Sequence, residues 1–425
     1  MKILIIGSGG REHAIAHKLS LSPRNPELYA APGNAGIAEV ATCVNIQVDD
    51  LEGLLDFAIK AKIELTIVGP ELPLVMGVVD LFESHGLKIF GPKKAGALFE
   101  GSKDFTKAFL LRHGIPTAKY ETHTKLDAAI AALKGFDYPV VIKADGLAAG
   151  KGVVIAENQR VAEQALIDMM TNRVFGDAGD CVVIEAFLKG VEASVLCFVD
   201  GKTILPLQPA QDYKKAFDGD EGLNTGGMGT YSPSMIIDDG LMSRIQNEIL
   251  DPFITGIQKD GIPFKGILFV GLMIDGDDIN VLEYNARLGD PETEVTLIRM
   301  ENDLLEVVEA TLEERLSEIT LQWRLEHAVC VIMASGGYPE AYEKGFLIEG
   351  LPVFSLSEHD LGPFYYHCGT KKVLDGVATN GGRVLGVTAL GEDLREARRR
   401  AYDAVKSVSF EKMMFRKDIG TLIQK

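Results

Sequence analysis

Four short apolar runs near the start of the chain each end in a Gly- or Pro-rich turn, and no other feature constrains the fold as much. KILII runs into GSGGREH, LYAA into PGNAG, LTIV into GPE and LKIF into GP. Helical patterns such as LEGLLDFAIKA lie between them. Strands alternating with helices imply a parallel, doubly wound sheet over residues 1–101, because parallel neighbours need a crossover that a helix supplies. Ligands on such sheets bind beyond the carboxyl ends of the strands, which is where GSGGREH, PGNAG and GPE fall.

Ser102 reads as the N-cap of a helix over KDFTKAFLLRH, with Gly114 and Pro116 as its stop. After it the pattern changes. YPVVIKADG and KGVVIAE predict two strands around a Gly-rich turn, a helix follows near 160–171, and CVVIEAF is a further strand. From there to about 290 mostly strand is expected, with a polar excursion at QDYKKAFDGDEGLNTGGMG. A helix is expected near 292–312, then a less patterned acidic stretch to about 326. AVCVIMASGGYP opens a last α+β segment, which ends in a helix with Leu394, Ala397, Ala401 and Val405 on one face. A length of 425 residues suits several domains, and the expected division is 1–101, 102–326 (with a flap lobe over about 120–190) and 327–425.

Charge narrows the function. With 43 basic and 61 acidic residues the formal net charge is -18 and no basic block is visible, which argues against general nucleic-acid binding through a basic surface. Any phosphate must be held by local Gly loops, lysines, arginines and metal ions. Cys43, Cys181, Cys197, Cys330 and Cys368 form no C-x-x-C pair and no zinc spacing, so free thiols in a reducing compartment are expected. The first apolar run is too short for a signal peptide and no stretch of 18 apolar residues exists. A cytoplasmic protein without membrane contact is the expectation.

Four segments carry chemistry. GSGGREH would present backbone N–H groups at a helix N-terminus, which suits a phosphate. Gly7 and Gly9 fit a dinucleotide G-x-G-x-x-G, but the third position is Glu12 and the second strand ends in Ala30 and Ala31, with no carboxylate for a ribose. A phosphate-bearing substrate or a purely structural turn remain, and a nicotinamide oxidoreductase is disfavoured. IKADGLAAGKGV is no Walker A loop, since three residues separate Gly146 from Gly150 and Lys151 is followed by Gly152. It suits a flap over a phosphate chain. Lys143, at the end of an apolar strand, either meets an anion or reaches solvent.

In VLEYNARLGDPE, strand alternation puts Glu283, Asn285 and Arg287 on one face and Leu282, Tyr284, Ala286 and Leu288 on the buried one. A carboxylate and an amide oxygen so placed can share a hard cation such as magnesium, and Arg287 can clamp a phosphate or carboxylate. A solvated polar face is the alternative. VVIEAFLKGVEAS runs from a strand into a linker carrying Glu185 and Glu192, whose backbone could read a purine edge.

Taken in order, the Ser102-Lys103 helix, IKADGLAAGKG, IEAFLKGVE, NTGGMG and LEYNARLGDPE closely resemble the ATP-grasp ligases and, within them, the phosphoribosylamine–glycine ligase family of de novo purine synthesis. The resemblance spans essentially the whole chain, taking in GSGGREH, PGNAG, TIVGPE and KIFGP early and HCGT, NGGRVLGVTALG and FRKDIG late. It implies an α/β fold with an N-terminal doubly wound parallel-sheet domain, a central two-lobed ATP-grasp domain and a C-terminal α+β domain. It also implies an ATP-dependent ligation of glycine to 5-phosphoribosylamine through glycyl phosphate, giving glycinamide ribonucleotide, ADP and phosphate.

Residue by residue, the resemblance places Lys103 and Lys143 on the ATP phosphates, with Gly150, Lys151 and Gly152 closing over them. Glu185 and the backbone of Ala186, Phe187 and Leu188 would hold adenine, and Glu192 the ribose. Glu283 and Asn285 match the ligands of Mg2+ (or Mn2+). Gly9, Gly10, Arg11 and Glu12 would meet the phosphate of phosphoribosylamine, and Asn34 and Glu71 its sugar. Asp212, Gly227, Met228, Arg287 and Asp290 would surround glycine and the reacting amine. The partners implied are these small molecules, with room for transient docking to neighbouring purine-pathway enzymes, and neither nucleic acid nor membrane. The chain departs from the family where Tyr213-Lys214-Lys215 replaces a common His-Lys-Arg and LEYNARLGD replaces IEFNCRFGD. Rival readings are a formate-using or carboxylase member of the same superfamily and a non-catalytic nucleotide-binding protein. GSGGREH, HCGT and FRKDIG speak against the first, and the intact Glu283–Asn285 pair beside Arg287 against the second.

Overall fold

The computed structural model describes residues 1–148, 152–352 and 360–421. Strands β1 (Lys2–Gly7), β2 (Glu27–Pro32), β3 (Thr42–Cys43), β4 (Leu65–Val68) and β5 (Ile89–Phe90) form a parallel sheet in the order β3-β2-β1-β4-β5. Ile3, Leu4, Ile5 and Ile6 are all fully buried, as a central strand covered on both faces requires. The strand order reverses between β1 and β4. Their carboxyl-end loops, GSGGREH and GPE, therefore open a crevice at the switch point, bringing Arg11 and Glu71 to one cleft.

A second sheet is antiparallel, with β6 (Tyr120–His123), β7 (Val140–Ala144), β8 (Val153–Ala156) and β9 (Val182–Ala186) in the order β6-β9-β7-β8. Helix Gln159–Met170 covers it, packing Ala162, Leu166 and Met169 on Val140, Ile142 and Ile184. A third sheet starts with β10 (Val191–Val199) and β11 (Ile204–Pro206). The chain leaves it through β12 (Gln211–Asp212), the hairpin of β13 (Lys215–Phe217) and β14 (Glu221–Asn224), and β15 (Gly229–Ser232). It returns through β16 (Gly266–Asp275) and β17 (Asp278–Asn285), completing the antiparallel order β11-β10-β16-β17.

The last part comprises β18 (His327–Ser335), β19 (Phe364–His367), the hairpin of β20 (Thr370–Val373) and β21 (Gly376–Thr379), β22 (Arg383–Gly391) and β23 (Met413–Met414). Its main sheet takes in β12 and β15 from the middle of the chain, in the order β12-β15-β18-β22-β19, with β23 also on β18. Helix Leu394–Val405 buries Leu394, Ala397, Ala401 and Val405 against that sheet, the face the periodicity indicates. No helix among the described residues is long and apolar enough to cross a membrane.

Three local expectations are corrected. Residues expected to be mostly strand include helices Asp239–Ile245 and Asp251–Asp260, joined by one π turn. Asp238 caps this stretch, Gly261 ends it in the left-handed region, and Ile245, Ile249, Phe253 and Ile257 form its buried face at helical spacing. The helix expected near 292–312 is two, Glu292–Thr296 and Leu304–Leu312. Between them Met300 pairs with Trp323, and Asp303 caps the second helix. Finally, Leu282 is not buried with Tyr284. A bulge opposite Gly271 and Leu272 lets Val281 and Tyr284 share the core and turns Leu282 to the cleft.

Candidate active site

A cleft of about 690 Å³ runs between the β6–β9 sheet, the β10–β17 sheet and the carboxyl edge of the parallel sheet. At its centre, Ser102 caps helix Lys103–Arg112 through Phe105 N–H, so Lys103 stands at the helix N-terminus facing the cleft. Lys103 Nζ donates to Gly146 O at 3.0 Å. Lys143, from β7, donates to Leu282 O at 3.3 Å and lies 2.9 Å from Glu185 Oε1. The strand-end lysine thus meets an anion instead of reaching solvent. Gly152 leaves no room for a side chain, since a Cβ there would lie 2.6 Å from that of Ala148. Gly150 and Lys151 lie outside the described residues.

Glu283 and Asn285 stand side by side at the cleft, Asn285 Nδ2 3.4 Å from Glu283 Oε1. Burial pushes the Glu283 carboxyl up, but Lys214, Lys143 and Lys103 outweigh it and hold the group below its ordinary range. An ionised carboxylate beside an amide, ringed by lysines that would face phosphate oxygens, fits a hard divalent cation such as Mg2+ or Mn2+. Rotating the Asn285 amide would present its oxygen.

Along the next wall, Ala186, Phe187 and Leu188 line the cleft, and Glu192 projects from β10. Burial raises the Glu192 carboxyl, with Lys214 opposing. The Glu185 side chain does not point freely at this wall, because it is held between Lys143 and Lys107.

The opposite end gathers Arg11, Glu71, Asp212, Arg287 and Asp290. Arg11 is buried, with Nε on Glu12 Oε1 and Nη1 donating to Leu288 O at 3.1 Å. Glu12 in turn accepts Gly9 N–H and closes the first turn of the helix. Gly9 and Gly10 are packed against carboxylates. A Cβ on Gly9 would lie 3.1 Å from Asp290 Oδ2, and one on Gly10 would collide with Glu294 Oε1. Lys214 Nζ lies 2.6 Å from Asp212. Burial pushes Asp212 up to about 7 against the pull of Lys214, and Lys214 stays protonated despite burial because of Asp212 and Glu292.

Other expected residues lie elsewhere. Asn34 Nδ2 donates to Ser8 O and His367 O, and its Oδ1 accepts Gly36 and Ile37 N–H, so its polar atoms tie PGNAG to HCGT. Within NTGGMG, Met228 is fully buried, and Gly227 turns with φ +115° against Asp212. Tyr213 is structural: its hydroxyl donates to Thr421 O and accepts Gly420 N–H, while Arg416 lies over its ring. Arg416 of FRKDIG is itself buried against Asp418, Asp220 and Lys215 O. HCGT and GSGGREH meet where His367 N–H donates to His13 Nδ1.

Sequence reasoning assigned no role to Glu100, Lys107, Lys214 or Arg383, all of which line the cleft. Arg383, in NGGRVLG, donates to Gly226 O and Asp290 O at 2.7 Å and pairs with Asp290 Oδ1 at 3.0 Å. Glu100 carried a legible signal: a carboxylate in the last turn of helix Lys94–Gly101 is unfavourable unless a cation answers it, and Arg287 does. Lys107 carried none, because helix spacing alone does not reveal a partner on another lobe.

Two antiparallel lobes closing on a cleft of lysines and a Glu–Asn pair, beside a parallel-sheet unit, define an ATP-grasp ligase. Comparison with known proteins gives the narrower assignment. The family descriptions of phosphoribosylglycinamide synthetase match in three parts: the N domain over residues 1–100, the ATP-grasp (A) domain over 101–293 and the C domain over 328–422. The chain is 50% identical over 420 residues to phosphoribosylamine–glycine ligase of Caldanaerobacter subterraneus, covering 99% of both. The crystal structure of the Thermotoga maritima phosphoribosylamine–glycine ligase superposes with a TM-score of 0.85 at 33% identity, covering 98% of this chain and 100% of that one. The biotin carboxylase domain of Hydrogenobacter thermophilus 2-oxoglutarate carboxylase, solved with MgADP, shares the fold at 15% identity and TM-score 0.74, over 97% and 91% of the two chains. The chain belongs to the phosphoribosylamine–glycine ligase family.

Proposed function

We propose that this protein joins glycine to 5-phosphoribosylamine through glycyl phosphate, converting ATP to ADP and phosphate and forming glycinamide ribonucleotide in de novo purine synthesis. The observation that carries this is the convergence of Lys103, Lys143, Glu283, Asn285, Arg287, Asp212 and Asp290 on one cleft from distant stretches of chain. ATP lies with its phosphates on Lys103 and Lys143, and the adenine against Ala186, Phe187 and Leu188, with Glu192 at the ribose. Gly152, which lines the cleft, lies at the phosphate end, and a site enclosed there keeps water from the acyl phosphate. Glu283 and Asn285 would hold a magnesium or manganese ion, which supplies charge neutralisation and orientation of phosphate oxygens.

A glycine carboxylate is a poor acyl donor, so one of its oxygens attacks the γ-phosphorus and ADP leaves. Phosphoryl transfer of this kind needs in-line positioning and neutralised charge, which the two lysines and Arg287 provide. The ribosylamine nitrogen then attacks the glycyl carbonyl, the C–O bond to phosphate breaks, and the amine loses a proton. Asp212 and Asp290 flank that step. Arg11, at the Gly9-Gly10 turn, faces the phosphate of the ribosylamine, Glu12 holds that turn and Arg11 in place, and Glu71 faces the sugar. We place the work in the cytoplasm, with divisions at 1–101, 102–326 and 327–425 and brief docking to pathway neighbours.

Phosphate release from ATP, measured with and without glycine and phosphoribosylamine generated in situ, tests the proposal. Release should need both. Activity with formate in place of glycine, or none with the full set, would overturn it.

A further inference from the structure

Glu185 is buried at the bottom of the cleft between two buried ammonium groups. Its Oε1 lies 2.9 Å from Lys143 Nζ and its Oε2 lies 2.8 Å from Lys107 Nζ. Lys107 comes from helix Lys103–Arg112, Lys143 from β7 and Glu185 from β9, so the triad joins three elements around the cleft. The Lys107 side chain is 3% exposed, and its remaining contacts are Thr117 Oγ1 at 2.7 Å and the ring of Tyr120 at 5.9 Å. Thr117 Oγ1 passes the chain on, donating to Val281 O of β17 at 2.7 Å. Lys107 is therefore spoken for on the protein side, whereas Lys143 is answered by one shared carboxylate and a single carbonyl.

Charge decides what this arrangement does. In direct contact the two ammonium groups share one carboxylate, with Glu283 acting on both from farther off. The triad itself therefore carries a surplus positive charge in a poorly solvated place, which an anion relieves. With Lys107 opposite it, Glu185 is neutralised and Lys143 keeps attraction for a phosphate. Without Lys107, Glu185 would pair with Lys143 alone and cancel it. Burial works to raise the Glu185 carboxyl, but Lys143 and Lys107 outweigh it and keep the group below its ordinary range. Burial lowers Lys107 to about 8, with Glu185 opposing, so it stays largely charged at neutral pH.

We propose that Lys107 is a positioning residue for nucleotide phosphate: it engages Glu185 so that the charge of Lys143 remains available to the ligand. The Glu185 side chain then serves the phosphate end of the site, and adenine is read by the backbone of 186–188. The inference rests on the nucleotide reading of the cleft given above.

Calorimetric titration with MgADP and, separately, with adenosine tests it on wild type, Lys107→Met and Lys107→Arg. Lys107→Met should weaken MgADP binding about 10- to 100-fold and leave adenosine within about twofold, and Lys107→Arg should recover most of the MgADP affinity. If the Met variant does not fold, Lys107→Gln, which keeps a donor for Thr117 without the charge, should give the same split. An equal loss for both ligands would mean that Lys107 holds Glu185 for adenine, and unchanged MgADP binding would mean that it has no bearing on phosphate; either overturns the proposal. Wild-type protein that binds neither ligand would instead sink the nucleotide reading of the cleft itself.

Discussion

Arg287 Nη2 lies 2.9 Å from Glu100 Oε1, joining the chain just past β17 to the helix that ends the parallel-sheet part. Glu100 Oε2 also accepts Ala286 N–H at 2.8 Å, and Glu71 reaches Arg287 Nε at 3.5 Å. The guanidinium is thus oriented by two carboxylates before substrate arrives, and a planar fork held in place loses less freedom on binding an anion.

Glu100 should make stability pH-dependent. Burial pushes its carboxyl up to about 7, with Arg287 opposing and Glu71 adding to the rise. A carboxyl raised on folding contributes stability that is fully present below its unfolded value, near 4.5, and is lost as pH rises through about 7. Between those values this group should cost about 1.4 kcal/mol per pH unit at most. Glu100→Gln should flatten that part of the melting-temperature profile. An unchanged profile would show that Glu100 is ionised throughout.

Glu283→Gln should leave the melting temperature nearly unchanged and lower turnover roughly 100-fold or more at limiting magnesium, with partial recovery as magnesium is raised. Steady-state rates across a magnesium series provide the check, and near-normal activity at low magnesium would count against the metal assignment.

Arg11→Ala should raise KM for phosphoribosylamine about 10- to 100-fold and leave KM for ATP nearly unchanged, the scale expected for one lost bond to a charged group. Arg11 lies at the switch-point crevice, apart from the Lys103–Lys143 region. The opposite split, with ATP affected and phosphoribosylamine not, would assign GSGGREH to the nucleotide.

Gly227→Ala should destabilise the protein by about 1–3 kcal/mol and depress turnover. The backbone there has φ +115°, and a Cβ would lie 2.5 Å from Pro291 Cδ and 2.7 Å from Asp212 Oδ1. Gly376→Ala, at φ +136° and with nothing within 4 Å, carries backbone strain of the same kind without crowding, so it isolates the one from the other. Equal effects of the two would remove the steric argument at Asp212.

Tyr213→Phe should lose about 0.5–1.5 kcal/mol per hydrogen bond removed and keep kcat, since its hydroxyl serves Thr421 and Gly420 rather than the cleft. A fall in kcat without a fall in melting temperature would place Tyr213 in the chemistry.

Period and punctuation were enough to determine much of this protein. Gly and Pro after each apolar run mark strand ends in the parallel sheet, Ser102 caps its helix, and LEYNARL sets Glu283 and Asn285 together, because these are local properties of backbone and alternation. Where Leu282 points was not local: a bulge set by the partner strand β16 shifts the alternation there. Helix pairing over 239–260 was legible in principle, from Asp238, Gly261 and the Ile245–Ile249–Phe253–Ile257 spacing, yet a strand-like neighbourhood masked it. Only the tertiary structure could decide which charges answer one another. Lys107 with Glu185, Arg287 with Glu100 and Arg383 with Asp290 lie on separate elements, and Asn34 is absorbed by HCGT from the far end of the chain. Ion pairing depends on distance and burial in three dimensions, and a one-dimensional pattern carries neither.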